Sequence, residues 1–278
     1  MSFKDILVHV DSAPASRVRL NLALSLAHRF GARLSGLHVI PEPNVPPYFK
    51  PSAIARIAKI YAENAREAAR LAEVLFREET KDASVVTAWE CVAADMAETI
   101  AERSRFADLL MLGQFDTENP PAISAFLLPA KVAFGAVTPI LVIPNNVLLR
   151  EIGRRILVTW DGSREAARAI RDAMPMLQDA ERVSLLAVDP LRQRHMRDGL
   201  NLSELTAHLG RHGVSPDATE LSAGERSVTD ALLAHAAEFG ADLLVMGAYG
   251  HSQIWEFVVG GTTQDLLEKT TIPLLISR

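Results

Sequence analysis

The sequence predicts an α/β protein made of two tandem copies of one parallel-sheet domain. Three observations carry this. Short apolar runs alternate with stretches of helical periodicity along the whole chain, the pattern of right-handed βαβ units. The chain also repeats itself. Ile6-Leu-Val-His-Val-Asp11 returns as Ile156-Leu-Val-Thr-Trp-Asp161 at a shift of 150 residues. Asp108-Leu-Leu-Met-Leu-Gly113 returns as Asp242-Leu-Leu-Val-Met-Gly247 at a shift of 134, and Thr138–Ile143 returns as Ile272–Ser277 at the same shift. Finally, 278 residues with 49% apolar content are enough for two packed cores, taking ~100–200 residues per domain.

In the first copy, Ile6–Val10 reads as a strand ending at Asp11. Pro14 suits a helix start. Leu20, Leu24, Ala27 and His28 then recur at helical spacing until Gly31. Leu34–Ile40 is the next strand, and the Pro-rich piece Pro41–Pro51 is a loop. A long helix runs from Ser52 to about Thr80. Its stripe of Ile54, Ile57, Tyr61, Ala65, Ala68, Ala72 and Leu75 is expected to face the core, with an interface as the other reading. Val85–Trp89 is a third strand, Met96–Arg103 a helix and Leu109–Leu112 a fourth strand. A helix ends at Val132–Gly135, and Ile140–Ile143 is the last strand. The 16-residue difference between the two shifts falls in the second connection, where the first copy has its Pro-rich loop and long helix. The copies join near Asn145–Gly153.

Composition narrows the function. Net charge is −5, with 15 basic and 16 acidic residues in 1–149 and 14 basic and 18 acidic in the remainder. Neither half has a basic tail, so nucleic acid is not an expected partner. The single cysteine, Cys91, excludes an internal disulfide and a CxxC redox pair, and reads as a half-buried structural thiol. No apolar run reaches membrane length, and the opening residues carry charge where a leader would be apolar. A soluble cytoplasmic protein is the expectation.

The stretch richest in chemical signal lies near the end. The run Leu243–Met246 reads as a buried strand and ends at Gly247. Gly250 follows, then Gly260 and Gly261, then Thr262 and Thr263 ahead of the helical stretch Gln264–Lys269. Bare backbone N–H groups beside a helix N-terminus suit a phosphate, and the two hydroxyls can add hydrogen bonds. No lysine stands where a GxxxxGK[ST] loop needs one. Spacing alone is equally compatible with a turn and a helix start.

Gly-x-x-Gly, nine residues, Gly, then a helix and a strand beginning at Pro273 resembles the ATP-binding signature of the universal stress protein family. Gly247, Gly250 and Gly260 match, while Gly261 stands where the family usually has Ser or Thr. The internal repeat makes the chain similar to the family's tandem members. The resemblance implies two flavodoxin-like, Rossmann-like domains, each a five-stranded parallel sheet with helices on both faces. They would pair as an intramolecular pseudo-dimer through Pro139–Ile143 and Ile272–Ser277. The domains would be 1–146 and 153–278. The resemblance also implies a cofactor site for ATP, with Mg²⁺ on the phosphates. Asp161 would bind the adenine or ribose end, and Thr159, Trp160 and Val188 would wall the adenine. Met246 and Gly247 close the strand, and Gly250, His251, Gly260, Gly261, Thr262 and Thr263 would surround the phosphates. Asp161 also reads as a helix cap, Val188 as plain core and His251 as a surface loop residue.

The first copy departs from this pattern. At the shift of 134 it has Asp116, Phe126, Leu127, Leu128 and Pro129 in place of Gly250, Gly260, Gly261, Thr262 and Thr263. Side chains replace bare backbone, Pro129 has no N–H, and Asp116 would repel phosphate. The first domain is therefore read as degenerate, and one ATP per chain is expected. His208 and His212 have metal-ligand spacing without a third ligand, so no protein-bound metal is expected. GxSxG and the SGGxDS-like loop of adenylating enzymes are absent. No catalytic residue is identified. The reading is a nucleotide-dependent switch or adaptor in stress response. A slow ATPase and a nucleotide-free interaction module are the alternatives, and an unidentified protein partner and a further homodimer are left open.

Overall fold

The computed structural model describes residues 2–42, 51–114, 128–146, 150–188, 202–248 and 262–278, and the side chains of 51–54 are outside it. The first half contains β1 (Asp5–His9), α1 (Ala15–Phe30), β2 (Arg33–Ile40), α2 (Pro51–Thr80), β3 (Thr87–Ala93), α3 (Met96–Ser104), β4 (Leu109–Gly113), α4 (Leu128–Gly135) and β5 (Ile140–Ile143). The second contains β6 (Arg155–Thr159), α5 (Arg164–Asp179), β7 (Arg182–Val188), α6 (Leu202–Arg211), β8 (Asp217–Leu221), α7 (Val228–Phe239), β9 (Leu243–Gly247), α8 (Thr262–Lys269) and β10 (Leu274–Ser277). The repeat holds to the residue: β1 and β6 are 150 apart, and β4, α4 and β5 stand 134 before β9, α8 and β10.

The ten strands of the described residues form one sheet in the order β3-β2-β1-β4-β5-β10-β9-β6-β7-β8. Neighbours are parallel within each half. The halves meet where β5 and β10 pair antiparallel, with Leu274 opposite Val142 and Ile276 opposite Ile140. The expected pairing of the last strands is therefore observed. The inner strands bury both faces, so period-2 alternation sends their side chains into two cores, while the edge strands β3 and β8 are half-buried or exposed. Ile6, Val8, Met111, Val158 and Val245 join the core that includes α1 and α5 residues. Leu7, Leu110, Val142, Leu157 and Leu244 join the one that includes α3, α4, α7 and α8 residues.

The aspartate before the fourth strand of each half ties the sheet to its first strand. Asp108 Oδ2 accepts from the N–H groups of Lys4 (2.7 Å) and Asp5 (3.0 Å). Asp242 accepts from the N–H groups of Gly153, Arg154 and Arg155 at 2.9–3.1 Å. The halves are also tied across the junction. Gln114, just past β4, donates its amide to the carbonyls of Leu267, Glu268 and Thr270 at 3.0–3.1 Å, gripping the C-terminal end of α8.

Three expectations need correction. The third strand is Thr87–Ala93, in register with Leu34–Ile40, instead of Val85–Trp89. It is an edge strand, so pairing with β2 fixes its span, and its apolar pattern does not. Val86 is 70% exposed. Cys91 lies on that edge and is exposed, not half-buried; its thiol is pushed up by partial burial and by Glu73. In α2, the expected core stripe holds except at Ile57, which faces outward: Ala72 is buried, and Tyr61, Ala65, Ala68 and Leu75 are half-buried, with Phe76 joining them.

Candidate functional site

In each half the strand order reverses between the first and fourth strands, and the helices that follow them lie on opposite faces. Such a switch point leaves a crevice outside the carboxyl ends of the two strands. The chain therefore has two equivalent crevices, one at β1 and β4 and one at β6 and β9.

In the second crevice, β6 ends at Thr159, whose Oγ1 lies 3.5 Å from the Val245 carbonyl. Asp161 follows in the turn. Its Oδ1 accepts the Ser163 N–H at 2.9 Å. Ser163, not Asp161, is the side-chain cap of α5, accepting from the Ala166 N–H at 3.0 Å. Val188 and Met246 are buried in one core, while Trp160 packs against the opposite one. Successive residues of a strand point to opposite faces, so the indole does not share a wall with Val188. The Trp160 Nε1 is buried and has no hydrogen-bond partner among the described residues.

Gly247 ends β9 beneath the first turn of α5. A Cβ there would fall 2.5 Å from the Glu165 carbonyl carbon and 2.9 Å from the Ala166 Cα. The missing side chain lets a helix N-terminus sit against the strand end. Thr262 and Thr263 form the start of α8, not a lead-in to it; Thr262 is half-buried and Thr263 buried. First-turn N–H groups lack intrahelical acceptors and carry the positive end of the helix dipole. Gly250, His251, Gly260 and Gly261, like Asp116, Phe126 and Leu127, lie outside the described residues.

The first crevice is built differently, through a residue the sequence reading passed over. Arg19 of α1 is 2% exposed. Its Nε donates to the His9 carbonyl (2.8 Å), and its Nη2 donates to Asp11 Oδ2 (2.8 Å) and Ser16 Oγ (3.0 Å). Its Nη1 lies over Gly113, where a Cβ would stand. Asp11 is the counterpart of Asp161, and Arg19 that of Ala169. The crevice end that bears a small residue in the second half thus holds a guanidinium in the first. Leu128 and Pro129, opposite Thr262 and Thr263 in the repeat, are buried in the first turn of α4. A visible signal existed: Arg19 interrupts the run of buried positions Ser16, Leu20, Ala23 and Ala27 at helical spacing.

Burial sets the charge states here. The Arg19 guanidinium and His9 help hold the Asp11 carboxyl below the usual range, against the opposing effect of burial. His9 is pushed down to about 4, mainly by burial. Its ring stacks at 6.5 Å on His38, whose Nδ1–H donates to the Val10 carbonyl at 2.8 Å. An unfolded histidine titrates near 6.5, so between that value and about 4 the unfolded chain binds the extra proton. Stability is then complete above pH 6.5 and declines as pH falls. His9→Thr, which copies Thr159, is expected to remove about 3 kcal/mol of acid sensitivity across this window. Urea unfolding of both proteins at pH 4.5–7.5 checks this, and parallel curves would refute it.

Among the described residues, no group of three or more His, Cys, Asp or Glu could hold a metal ion. His208 in α6 and His212 just beyond it bring their rings to 4.8 Å. Among the same residues, no helix is long and apolar enough to cross a membrane.

Comparison with known proteins agrees with this architecture. The model of the Universal stress protein family matches residues 2–123 and again 153–278. A curated relative, universal stress protein Slr1230 of Synechocystis sp., is 32% identical over 132 residues, which is 45% of this chain and 42% of that protein. The chain thus spans less than half the length of that relative. A universal stress protein structure from Archaeoglobus fulgidus DSM 4304 superposes with TM-score 0.69 at 16% identity, covering 99% of this chain and 96% of that one. A structure described as a putative universal stress protein from Pseudomonas aeruginosa gives 0.60 at 15% identity, over 99% and 93% of the two chains. At those identities the likeness concerns the fold. With the family model matched twice and over most of its length, the chain belongs to the universal stress protein family.

Proposed function

We propose that the second half binds ATP and that the protein acts as a nucleotide-dependent switch or adaptor in stress response. The observation that carries this is the contrast between the two crevices. Where Arg19 fills the first, the second has Ala169, with α5 seated on Gly247 and a helix N-terminus bearing Thr262 and Thr263. In this reading Asp161 accepts a hydrogen from the ribose or adenine. Thr159, Val188 and Met246 form the apolar wall, backed by Trp160 from the other face. Gly250, His251, Gly260 and Gly261 complete the phosphate loop with the two threonines, and Mg²⁺ accompanies the phosphates. Hydrogen bonds to a charged group contribute ~1.5–3 kcal/mol each, so four or five support micromolar binding after the entropic cost of association.

Calorimetric titration of the full chain with Mg-ATP tests this. One site per chain is expected. Asp161→Ala should weaken binding about tenfold, or about 1.4 kcal/mol, while leaving the fold intact. Two equivalent sites, or no binding by wild type, would overturn the reading.

A further inference from the structure

Helix α2 is longer than the sheet it covers. Its 30 residues rise about 45 Å, whereas the eight residues of β2 extend about 27 Å. One face of α2 meets α1, β2 and β3. The other displays Ile57, Ile60, Leu71 and Val74, each 38–49% exposed. With Asn64 and Glu67 between them, these residues follow a 3-4 spacing, the seam of a coiled coil. Large apolar side chains in such a row mark a contact surface.

We propose that this seam pairs with the same seam of a second copy of the chain, antiparallel about a two-fold axis passing between Ala65 and Arg66. The order along the seam is apolar, apolar, polar, polar, apolar, apolar, which reads alike from both ends. A two-fold contact requires that self-complementarity. Antiparallel pairing sets Ile57 against the partner's Val74 and Ile60 against the partner's Leu71. At the centre the Asn64 amide donates to the carboxylate of the partner's Glu67. Along one flank, Glu63 faces the partner's Arg70, so opposite charges meet on both sides of the axis. Parallel pairing would instead oppose Glu67 to the partner's Glu67. Within one chain, Lys59–Glu63 (3.9 Å) and Glu67–Arg70 (2.7 Å) already lie along the helix, so the flank is a row of alternating charge. The seam lies at the β3 end of the sheet, several strands from β6 and β9.

Sedimentation equilibrium of the full chain at about 1–100 μM tests the proposal. The expected mass is twice 30.3 kDa. Ile60→Glu with Leu71→Glu should give the single-chain mass with unchanged far-UV circular dichroism. Glu63→Arg should raise the dissociation constant at least fivefold at low salt, and adding Arg70→Glu should restore it. A chain that stays monomeric at 100 μM, a dimer that survives Ile60→Glu with Leu71→Glu, or a charge swap without recovery would each overturn it.

Discussion

Asp11→Ala is expected to destabilise the protein by about 3–5 kcal/mol, although Asp11 is the more exposed member of its ion pair. The side chain of Asp11 is 35% exposed, and that of Arg19 only 3%. Removing the outer partner leaves a guanidinium uncompensated in the interior, which costs far more than the pair itself contributes. Arg19→Met removes the buried charge and leaves Asp11 with access to water. It should cost less, about 1–2 kcal/mol, for the lost hydrogen bonds to the His9 carbonyl and Ser16. Urea unfolding at pH 7 ranks the two variants. If Asp11→Ala costs less than Arg19→Met, Arg19 does not depend on Asp11 for its compensation.

Gly247→Ala is expected to cost about 2–3 kcal/mol and to weaken the proposed ATP binding at least tenfold. The new Cβ meets main-chain atoms of Glu165 and Ala166, which cannot rotate away as a side chain can. Relief requires α5 to lift off β9, and overpacking of this kind costs roughly 1–3 kcal/mol. The lift occurs where the turn holding Asp161 leads into α5, so it also displaces that carboxylate. Gly113→Ala meets the Arg19 guanidinium instead, and is expected to cost less. Denaturation and calorimetry on the same samples measure both effects. A Gly247→Ala protein with wild-type stability would remove the close-approach argument.

The fold was legible because its signals were local and repeated. Leu109–Gly113 and Leu243–Gly247 are apolar throughout, since their strands are covered on both faces, and the shifts of 150 and 134 aligned one half on the other. Reading failed where partners decide. On β3, one neighbouring strand sets the span and the other edge meets solvent, so an apolar window misplaced it. On α2, the stripe from Tyr61 to Leu75 faces inward as read, but Ile57, at the same spacing, lies toward the end where the helix outreaches the sheet and is exposed. At the candidate site, it was the resemblance to the family that pointed to Asp161, Gly247, Thr262 and Thr263, since spacing alone fits a turn and a helix start as well. The direction of Trp160 required the alternation of a strand whose last residue was unknown. Arg19 was hidden for another reason: besides Ser16, one turn earlier on α1, its meaning comes from Asp11 and Gly113, which the fold brings to it from the ends of two strands.

The antiparallel β5–β10 seam joins two halves that belong to one chain. In a pair of identical chains, any substitution is inherited by both members at once. A guanidinium wedged into one crevice would then be wedged into the other. Here each half mutates alone. The first half has Arg19 where the second has Ala169, and Gln114 grips α8 while its counterpart position is Ala248. Covalent linkage thus releases the two copies from sharing a genotype, so one crevice can carry a buried guanidinium while the other carries alanine at the same place.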